Sequence, residues 1–308
     1  MSKPIVVVGS INLDLVAVAA RIPSVGETVL GTDFQTHPGG KGANQAVAVA
    51  RLGYPVHMIG RVGDDAFGAQ LRNHLAKAGV DTEGVATNPG ASGVAVIAVS
   101  SKGENSIIVA PGANAKLTPQ DLESNLELIR HAGLALAQLE IPLDTIERLA
   151  EMCSREDVPL ILDPAPAREL PRAVLERAAW FTPNESEAAF YAEGELNGAP
   201  ERTVEVLFDK GCRGLLLKRG GRGVYVAGAR GFGEEIPAFS VRAVDSTAAG
   251  DAFNGAFAVG LMLDKSPVES ARFASAVAAI SVTRIGAQPS MPTMDEVATF
   301  LKEHRIAP

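Results

Sequence analysis

The feature that most constrains the fold is an alternation of short apolar runs with helical patterns. Residues 5–9 form an apolar, β-branched run, as expected of a strand buried on both faces of a parallel sheet. Alanine-rich stretches follow at 43–52 and 66–78, and each ends at a glycine, Gly53 or Gly79, as helices commonly do. This alternation predicts βαβ units around an α/β, mostly parallel sheet flanked by helices.

The same alternation continues towards the carboxyl end. We predict further strands at 56–59, 134–138, 160–162, 180–182 and 215–217, and further helices at 143–155, 252–263, 267–280 and 295–301. We find no internal repeat, linker or low-complexity tract. We therefore expect one domain over residues 1–308.

Two stretches break the alternation because they have strand patterns without a crossover helix. Residues 14–37 indicate short strands around Pro23 and Gly26, and residues 94–110 indicate a hairpin that turns at 101–104. Together they predict a small separate β-sheet that can act as a lid. The alternative is an edge extension of the main sheet.

Composition narrows the class of protein. The chain has 308 residues, 46% of them hydrophobic and 21% charged, which is typical of a globular protein and excludes disordered and collagen-like chains. The net charge of -8 argues against a nucleic-acid partner, which would need clustered Lys and Arg. No apolar run reaches the roughly 18 residues of a membrane helix, and residues 1–10 lack signal-peptide features, so we expect a cytoplasmic protein. Cys153 and Cys212 are expected to be reduced structural thiols.

The segment 245–255 carries the strongest chemical signal, because small residues lead into a helix with Asp251 in its first turn. Free backbone amides of Ala248, Ala249 and Gly250 at a helix start would face an anion, as phosphoryl transfer requires. Asp251 would then contact the acceptor hydroxyl. The alternative is that Asp251 only stabilises the helix start.

A glycine cluster at 37–44 opens an earlier helix and would bring backbone amides close to a ligand. Neither the G-x-x-x-x-G-K-[ST] phosphate-binding loop nor the G-x-G-x-x-G dinucleotide fingerprint occurs in the chain. The missing fingerprint argues against an NAD-dependent dehydrogenase on a similar sheet.

Polar side chains follow two of the predicted strands. Asn12 and Asp14 come directly after the first strand, where side chains at the carboxyl edge of a parallel sheet reach the ligand crevice, although an ordinary turn would also place them there. Asn184 and Glu187 follow a later strand and lie on one face of the next helix. By local pattern alone, these two residues form a capping box.

Taken together, these motifs resemble the ribokinase family of carbohydrate kinases over the full length, from 9–12 to 286–290. The resemblance rests on four motifs in order: Gly-Gly-Lys-Gly-Ala-Asn-Gln-Ala at 39–46, Gly-Asp-Asp at 63–65, Asn-Glu-Ser-Glu at 184–187, and the segment 245–255. It implies a ribokinase-like fold in which a sugar lies between the α/β domain and a β lid. ATP would lie in a groove beside the sugar and give its γ-phosphate to a primary hydroxyl.

The resemblance also implies residue roles. Asp251 corresponds to the general base, and Ala248, Ala249 and Gly250 to the anion hole. The sugar-binding positions correspond to Asn12, Asp14, Gly40, Lys41, Asn44 and Glu140, together with Asp251. Nucleotide-side positions correspond to Lys218, Gly220, Gly223, Gly250 and Ser275. Lys218 with Arg219 departs from the family's usual Thr-Leu-Gly type of loop, and Ser275 replaces a common His or Asn.

Two cations are implied by the same resemblance. Asn184 and Glu187 correspond to residues that organise Mg²⁺ near the nucleotide phosphates. An activating K⁺ site corresponds to Asp245 and Thr247 with backbone near Ser281, Arg284, Gly286 and Ser290. The alternative for this second site is a plain packing contact between loops.

The implied activity is phosphorylation of D-ribose at its 5-hydroxyl by ATP. Deoxyribose, fructose, 2-keto-3-deoxygluconate or a nucleoside is the alternative substrate, and a non-catalytic sugar-binding regulator is the alternative class. The resemblance further implies a homodimer formed through the lid, for which the apolar alternation at 94–110 would supply a surface.

Overall fold

The computed structural model describes residues 2–193, 200–228 and 231–304. Within these ranges the strands are β1 Ile5–Val8, β2 Asn12–Ala19, β3 Gly31–Gly39, β4 Val56–Gly63, β5 Val85–Asn88, β6 Gly93–Ser100, β7 Asn105–Ala110, β8 Leu134–Gln138, β9 Leu160–Asp163, β10 Trp180–Phe181, β11 Gly214–Lys218, β12 Val224–Gly228 and β13 Phe232–Ile236. The helices are α1 Lys41–Arg51, α2 Ala66–Lys77, α3 Pro119–Ser124, α4 Leu126–Arg130, α5 Leu143–Arg155, α6 Arg172–Arg177, α7 Glu185–Tyr191, α8 Pro200–Asp209, α9 Ala249–Met262, α10 Pro267–Ser281 and α11 Met294–Glu303.

Nine strands form the main sheet, in the order β13-β12-β11-β10-β9-β8-β1-β4-β5. Neighbours from β11 to β5 run parallel, whereas β12 and β13 add an antiparallel edge. The predicted parallel α/β sheet is therefore confirmed. Strand β1 lies inside the sheet, between β8 and β4.

Helices cover both faces of this sheet, as the continuous apolar sequence of β1 requires. Ile5 and Val7 pack into one core cluster, which includes residues of α1, α9 and α10. Val6 and Val8 pack into the other cluster, which includes residues of α5 and α6. Because side chains alternate across a strand, a strand that is apolar at every position must be buried on both faces.

Four strands form a second sheet, in the order β3-β2-β6-β7. Strands β2 and β6 are parallel, and the other two pairs are antiparallel. The two stretches that lack crossover helices thus form a separate sheet, as predicted, and the hairpin turns between Ser100 and Asn105. Asn12 and Asp14 belong to β2 of this second sheet and not to a turn after β1.

Cys153 and Cys212 are buried free thiols, and burial raises the pKa of each to about 12. Both are therefore held as unreactive thiols, as expected of structural cysteines. Among the described residues, no helix is both long enough and apolar enough to cross a membrane.

Candidate active site

The site lies where α1 and α9 begin, beside the carboxyl ends of β8 and β9. Gly40 is the residue before α1, and its φ of 88° lies in the region that favours glycine. A Cβ at this position would be 2.7 Å from the backbone nitrogen of Asn12 and 2.9 Å from the carbonyl oxygen of Ser10. Glycine therefore allows α1 to start directly against the segment that leads from β1 into β2.

Asp251 lies in the first turn of α9 and is 5% exposed. Its Oδ2 accepts a hydrogen bond from Asn44 Nδ2 at 2.9 Å, and its Oδ1 accepts one from Gln45 Nε2 at 3.2 Å. Burial raises the pKa of Asp251 to about 6, although Lys41 and the two amides favour the ionised form. The site thus holds a carboxylate whose pKa suits proton transfer near neutral pH.

The start of α9 differs in one respect from the predicted anion hole. Ala248 adopts a left-handed conformation, with φ 56°, immediately before the helix. The amide of Ala249 donates to the carbonyl of Ser246 at 3.2 Å, so it is not free as the sequence suggested. Within the described ranges, the amides of Ala248 and Gly250 have no acceptor and remain open to an anion.

Further polar groups lie near the start of α1 and the beginning of β2. Glu140 Oε2 accepts from Ser10 Oγ at 2.5 Å and from the Lys41 amide at 3.2 Å. Asn12 Oδ1 accepts from Asn114 Nδ2 at 2.7 Å. The carboxylate of Asp14 lies beside Gly39, and a Cβ on that glycine would be 2.4 Å from it.

The charges of this region are strongly coupled. Burial raises the pKa of Asp14 to about 7, and the negative charges of Glu140 and Asp251 act in the same direction. Burial disfavours the ammonium group of Lys41, but the carboxylates of Asp251, Asp163, Glu140 and Glu187 outweigh it and raise the Lys41 pKa. Lys41 is therefore a cation that balances the negative charge of these acids, together with Lys218 beside Asp163.

A pocket of about 350 Å³ opens beside the start of α9. Its lining contains five of the seven residues predicted to bind the nucleotide or its Mg²⁺, which are Lys218, Gly220, Gly223, Gly250 and Ser275. Asn184 and Glu187 do not line it. Val224, Phe239, Val241 and Ala279 supply apolar lining. Such a pocket suits a flat, largely apolar ring with polar groups at one end.

The residues at the two departures from the family's pattern contact other groups of the protein. Lys218 Nζ lies 3.0 Å from Asp163 Oδ1, so its charge is held at the site. The Arg219 guanidinium is paired with Glu235 of β13. Ser275 Oγ donates to the carbonyl of Ala271 in its own helix at 2.9 Å.

Comparisons with known proteins show the family of this chain. Residues 2–294 match the family described as pfkB family carbohydrate kinase. The ribokinase of Bacillus subtilis is 44% identical over 301 residues, which cover 97% of this chain and 99% of that protein. The chain belongs to the pfkB family of carbohydrate kinases.

Solved structures support the same assignment. A ribokinase from Thermotoga maritima has a TM-score of 0.91 at 37% identity, over 97% of this chain and 99% of that one. Arabidopsis thaliana ribokinase, solved as a complex with ribose and ATP, has a TM-score of 0.92 at 35% identity, over 98% of this chain and 99% of that one. This carbohydrate kinase is therefore a phosphotransferase that uses ATP and has the ribokinase-like fold.

Asn184 and Glu187 form the capping box of α7 in this carbohydrate kinase. The Asn184 amide donates to Glu187 Oε2 at 2.7 Å, and the Glu187 amide donates to Asn184 Oδ1 at 2.9 Å. Burial raises the pKa of Glu187, with Asp163 acting in the same direction. Among the described residues, no group of three His, Cys, Asp or Glu side chains could hold a metal ion. Mg²⁺ would fit here only with water and phosphate oxygens as most of its ligands.

The loop before α9 is tied to the loop after α10. Asp245 Oδ1 accepts from Thr247 Oγ1 at 2.6 Å, and Asp245 Oδ2 accepts from the Gly286 amide at 2.8 Å. Burial opposes ionisation of Asp245, but these hydrogen bonds prevail and lower its pKa. An ionised carboxylate beside loop carbonyls is chemically suited to a monovalent cation.

The side chains of three other residues predicted for this cation site contact neighbouring groups of the protein. Ser281 Oγ donates to Ala278, and Ser290 Oγ donates to Ala287, each through a carbonyl of its own turn. Arg284 forms an ion pair with Glu296 at 2.6 Å. The Arg284 side chain is thus held by Glu296, whereas the sequence predicted backbone carbonyls near these residues as the ligands.

Sequence reasoning missed two residues that contact the site. Gln45 lies within the glycine motif, and its amide bridges Asp251 and Asp163. Asp163 ends β9, one residue beyond the strand predicted at 160–162. A carboxylate at the carboxyl end of an otherwise apolar parallel strand is a signal that could have identified Asp163.

Proposed function

We propose that this carbohydrate kinase is a ribokinase that transfers the γ-phosphoryl group of ATP to the 5-hydroxyl of D-ribose. One observation carries the proposal. The buried carboxylate of Asp251 lies at the start of α9, next to open amides and beside the pocket lined by Lys218 and Gly250. The B. subtilis relative is named a ribokinase, and the Arabidopsis structure is described as a complex with ribose and ATP.

In the proposed reaction, Asp251 accepts the proton of the 5-hydroxyl as the oxygen attacks the γ-phosphorus of ATP. The bond between the γ-phosphorus and the bridging oxygen breaks, and ADP leaves with that electron pair. The amides of Ala248 and Gly250 stabilise the charge on the transferred group, while Ala249 contributes through the shape of the turn. Most of the catalysis is positioning, since this reaction needs no covalent enzyme intermediate.

The sugar is bound between the two sheets by Asn12, Asp14, Gly40, Lys41, Asn44 and Glu140. Carboxylate and amide groups there pair with adjacent hydroxyls of ribose. A site of buried polar groups rejects an analogue that lacks a hydroxyl, because a group of the protein is then left without its partner.

The nucleotide occupies the pocket of about 350 Å³, where Gly220, Gly223 and Gly250 allow close approach of the backbone. Lys218 attracts the phosphates, and Ser275 contributes through its position in the wall. Asn184 and Glu187 hold the waters of Mg²⁺, which neutralises phosphate charge when it is bound. Asp245 and Thr247, with carbonyls near Ser281, Arg284, Gly286 and Ser290, hold an activating K⁺.

The second sheet acts as a lid on a single catalytic domain, with insertions at about 14–37 and 94–110. Strand β7 exposes Ile107, Ile108 and Val109 to solvent at 53%, 69% and 46%. An apolar edge strand of this kind needs a cover in a stable protein. We infer that a second copy covers it, giving a homodimer in the cytoplasm.

The test is an assay of ADP release over D-ribose, deoxyribose, fructose, 2-keto-3-deoxygluconate and adenosine, with MgATP and either K⁺ or Na⁺. We expect a clear preference for ribose that K⁺ increases. Preference for another sugar or nucleoside would reassign the substrate within the family. No turnover of any compound, together with measurable sugar binding, would favour a non-catalytic regulator.

A further inference from the structure

A buried chain of amides and carboxylates connects the proposed base to the nucleotide pocket. The Nε2 group of Gln45 donates to Asp251 Oδ1 at 3.2 Å and to Asp163 Oδ2 at 3.0 Å. Asp163 Oδ1 lies 3.0 Å from Nζ of Lys218, which lines the nucleotide pocket. One amide group therefore uses both of its hydrogens to bridge two carboxylates.

A hydrogen bond to its oxygen fixes the orientation of the Gln45 amide. Gln138, the last residue of β8, donates from Nε2 to Gln45 Oε1 at 2.7 Å. Gly9 makes room for Gln138, because a Cβ on Gly9 would be 2.0 Å from Gln138 Oε1. A reversed Gln45 amide would direct its oxygen at two carboxylates, which chemistry disfavours.

Because the residues of this bridge are buried, the loss of its hydrogen bonds would be costly. Gln45 and Gln138 are 0% exposed, and Asp163 is 2% exposed, so water cannot replace a lost donor without rearrangement. Without the bridging amide, the negative charges of Asp163 and Asp251 would repel each other across a dry gap. Gln45 also leaves Asp251 with lone pairs that are not used by protein donors.

We propose that Gln45 is a positioning residue: it holds Asp251 in its reactive orientation and links the base through Asp163 to Lys218 of the nucleotide pocket. This inference rests on the proposed function of Asp251. Gln45 acts through the carboxylate and does not contact the sugar. Its loss would therefore change turnover and its pH dependence more than substrate binding.

The test uses Gln45→Met, which keeps the side-chain length but removes both donors. We expect kcat to fall by about a hundredfold, as misplacement of a reacting group can cause, with smaller changes in KM for ribose and ATP. The acidic limb of the kcat profile should move to higher pH, because a carboxylate that loses a hydrogen bond becomes a weaker acid. Thr145→Val is the control, since it removes a buried hydrogen bond of 2.7 Å to Leu117, away from the site. It should lower stability without moving the pH limb.

A wild-type kcat and an unmoved acidic limb in Gln45→Met would overturn the inference. If Gln45→Met does not fold, Gln138→Met removes the group that orients Gln45 and should shift the limb in the same direction; an unmoved limb there would also overturn it. Carbon-13 NMR titration of the Asp251 carboxyl in the substrate-free enzyme gives a second readout. That titration still tests the bridge if no sugar in the panel is phosphorylated, so failure of the proposed function and failure of this inference are distinguishable.

Discussion

Two carboxyl groups of the site are held in surroundings that oppose their ionisation. The pKa of Asp251 is raised to about 6 and that of Asp14 to about 7, in both cases chiefly by burial. Lys41 and the amides of Asn44 and Gln45 favour the ionised form of Asp251 but do not cancel the effect of burial. The carboxylate of Asp251 is thus more basic than that of a solvated aspartate, which helps it to accept a proton.

Replacement of the base is the first prediction. Asp251→Asn keeps the shape and the helix start but removes the proton acceptor, so kcat should fall by roughly 10²–10⁴-fold. Affinity for ATP, measured by calorimetry, should change little because Asp251 does not line the nucleotide pocket. Asp209→Asn, at an exposed carboxylate at the end of α8, is the control. A loss of less than about tenfold would contradict the role of a general base.

Ionisation of Asp14 gives a prediction about stability. Its pKa is raised from 3.8 to about 7 in the folded protein, so the fold favours the protonated acid. The associated stability is present at pH 4 and is lost as the pH rises through about 7. Asp14→Asn should therefore raise Tm at pH 8, by about 2–4 °C for each kcal/mol of relief, and weaken sugar binding.

Scanning calorimetry at pH 4 and pH 8 checks the direction in which the Tm gain of Asp14→Asn changes with pH. The gain from Asp14→Asn should shrink or vanish at pH 4, where the native Asp14 is already protonated. Asp33→Asn, at an exposed carboxylate of the same sheet, is the matched control. A larger stabilisation at pH 4 than at pH 8 would show that burial of the charge is not the cause.

At the scale of residues, the sequence predicted which motifs form the site but not which side chains contact each other. The glycine cluster and the segment 245–255 predicted which helix starts form the site. The bridge made by Gln45 depends on Asp163, more than a hundred residues away, and no local pattern records such a pairing. The bond from Ala249 to Ser246 depends on the left-handed conformation of Ala248, which alanine seldom adopts.

At the scale of elements, Gly40 joins the two sheets to the first helix of the site. Its φ of 88° and ψ of 131° lie in a region used almost only by glycine. The Ser10 carbonyl accepts from the Ala43 amide at 2.9 Å, which fixes α1 against the end of β1. The position of Asn44 and Gln45 relative to Asp251 therefore depends on a joint that has no room for a side chain.

Gly40→Ala should combine backbone strain with a direct clash, and it should cost more stability than strain alone. Gly53→Ala is the matched control, because Gly53 also has a positive φ, of 75°, but a Cβ there would meet nothing within 4 Å. That control should cost roughly 1–2 kcal/mol. Urea unfolding of both variants measures the difference. Equal losses of unfolding free energy in the two variants would contradict this prediction. They would mean that the backbone near Asn12 and Ser10 moves away from the added Cβ without a loss of stability.

Strands with long apolar runs were easier to predict from the sequence than strands with polar residues. The buried parallel strands were predicted because each carries a continuous apolar run, as in Leu134–Gln138. Strand β5, Val-Ala-Thr-Asn, and strand β13, Phe-Gly-Glu-Glu-Ile, were missed because both lie at sheet edges and carry polar residues. Strand β12, Val224–Gly228, was also missed, although it is apolar and mostly buried. Edge strands need fewer apolar residues, so pattern alone does not separate them from loops.

For the molecule as a whole, the second sheet has an apolar strand that is exposed to solvent in the single chain. All six residues of β7 are exposed, including three successive β-branched apolar residues at 107–109. Because side chains alternate across a strand, both faces of β7 are open to water as well as its free edge. A second copy that pairs with this sheet, as proposed above, would cover the apolar surface.

The dimer prediction is tested by placing a charge on this strand. Ile108→Glu adds a carboxylate to the apolar surface, and burying that charge in an interface would be costly. The variant should therefore be a monomer. Light scattering should give it a mass near 32.0 kDa in place of twice that value. Phe190→Glu is the control, because Phe190 is 47% exposed on α7 of the main domain. It should leave the dimer intact. A wild-type protein that is already monomeric at micromolar concentration would contradict the dimer, and β7 would then have to be stabilised by contacts within one chain.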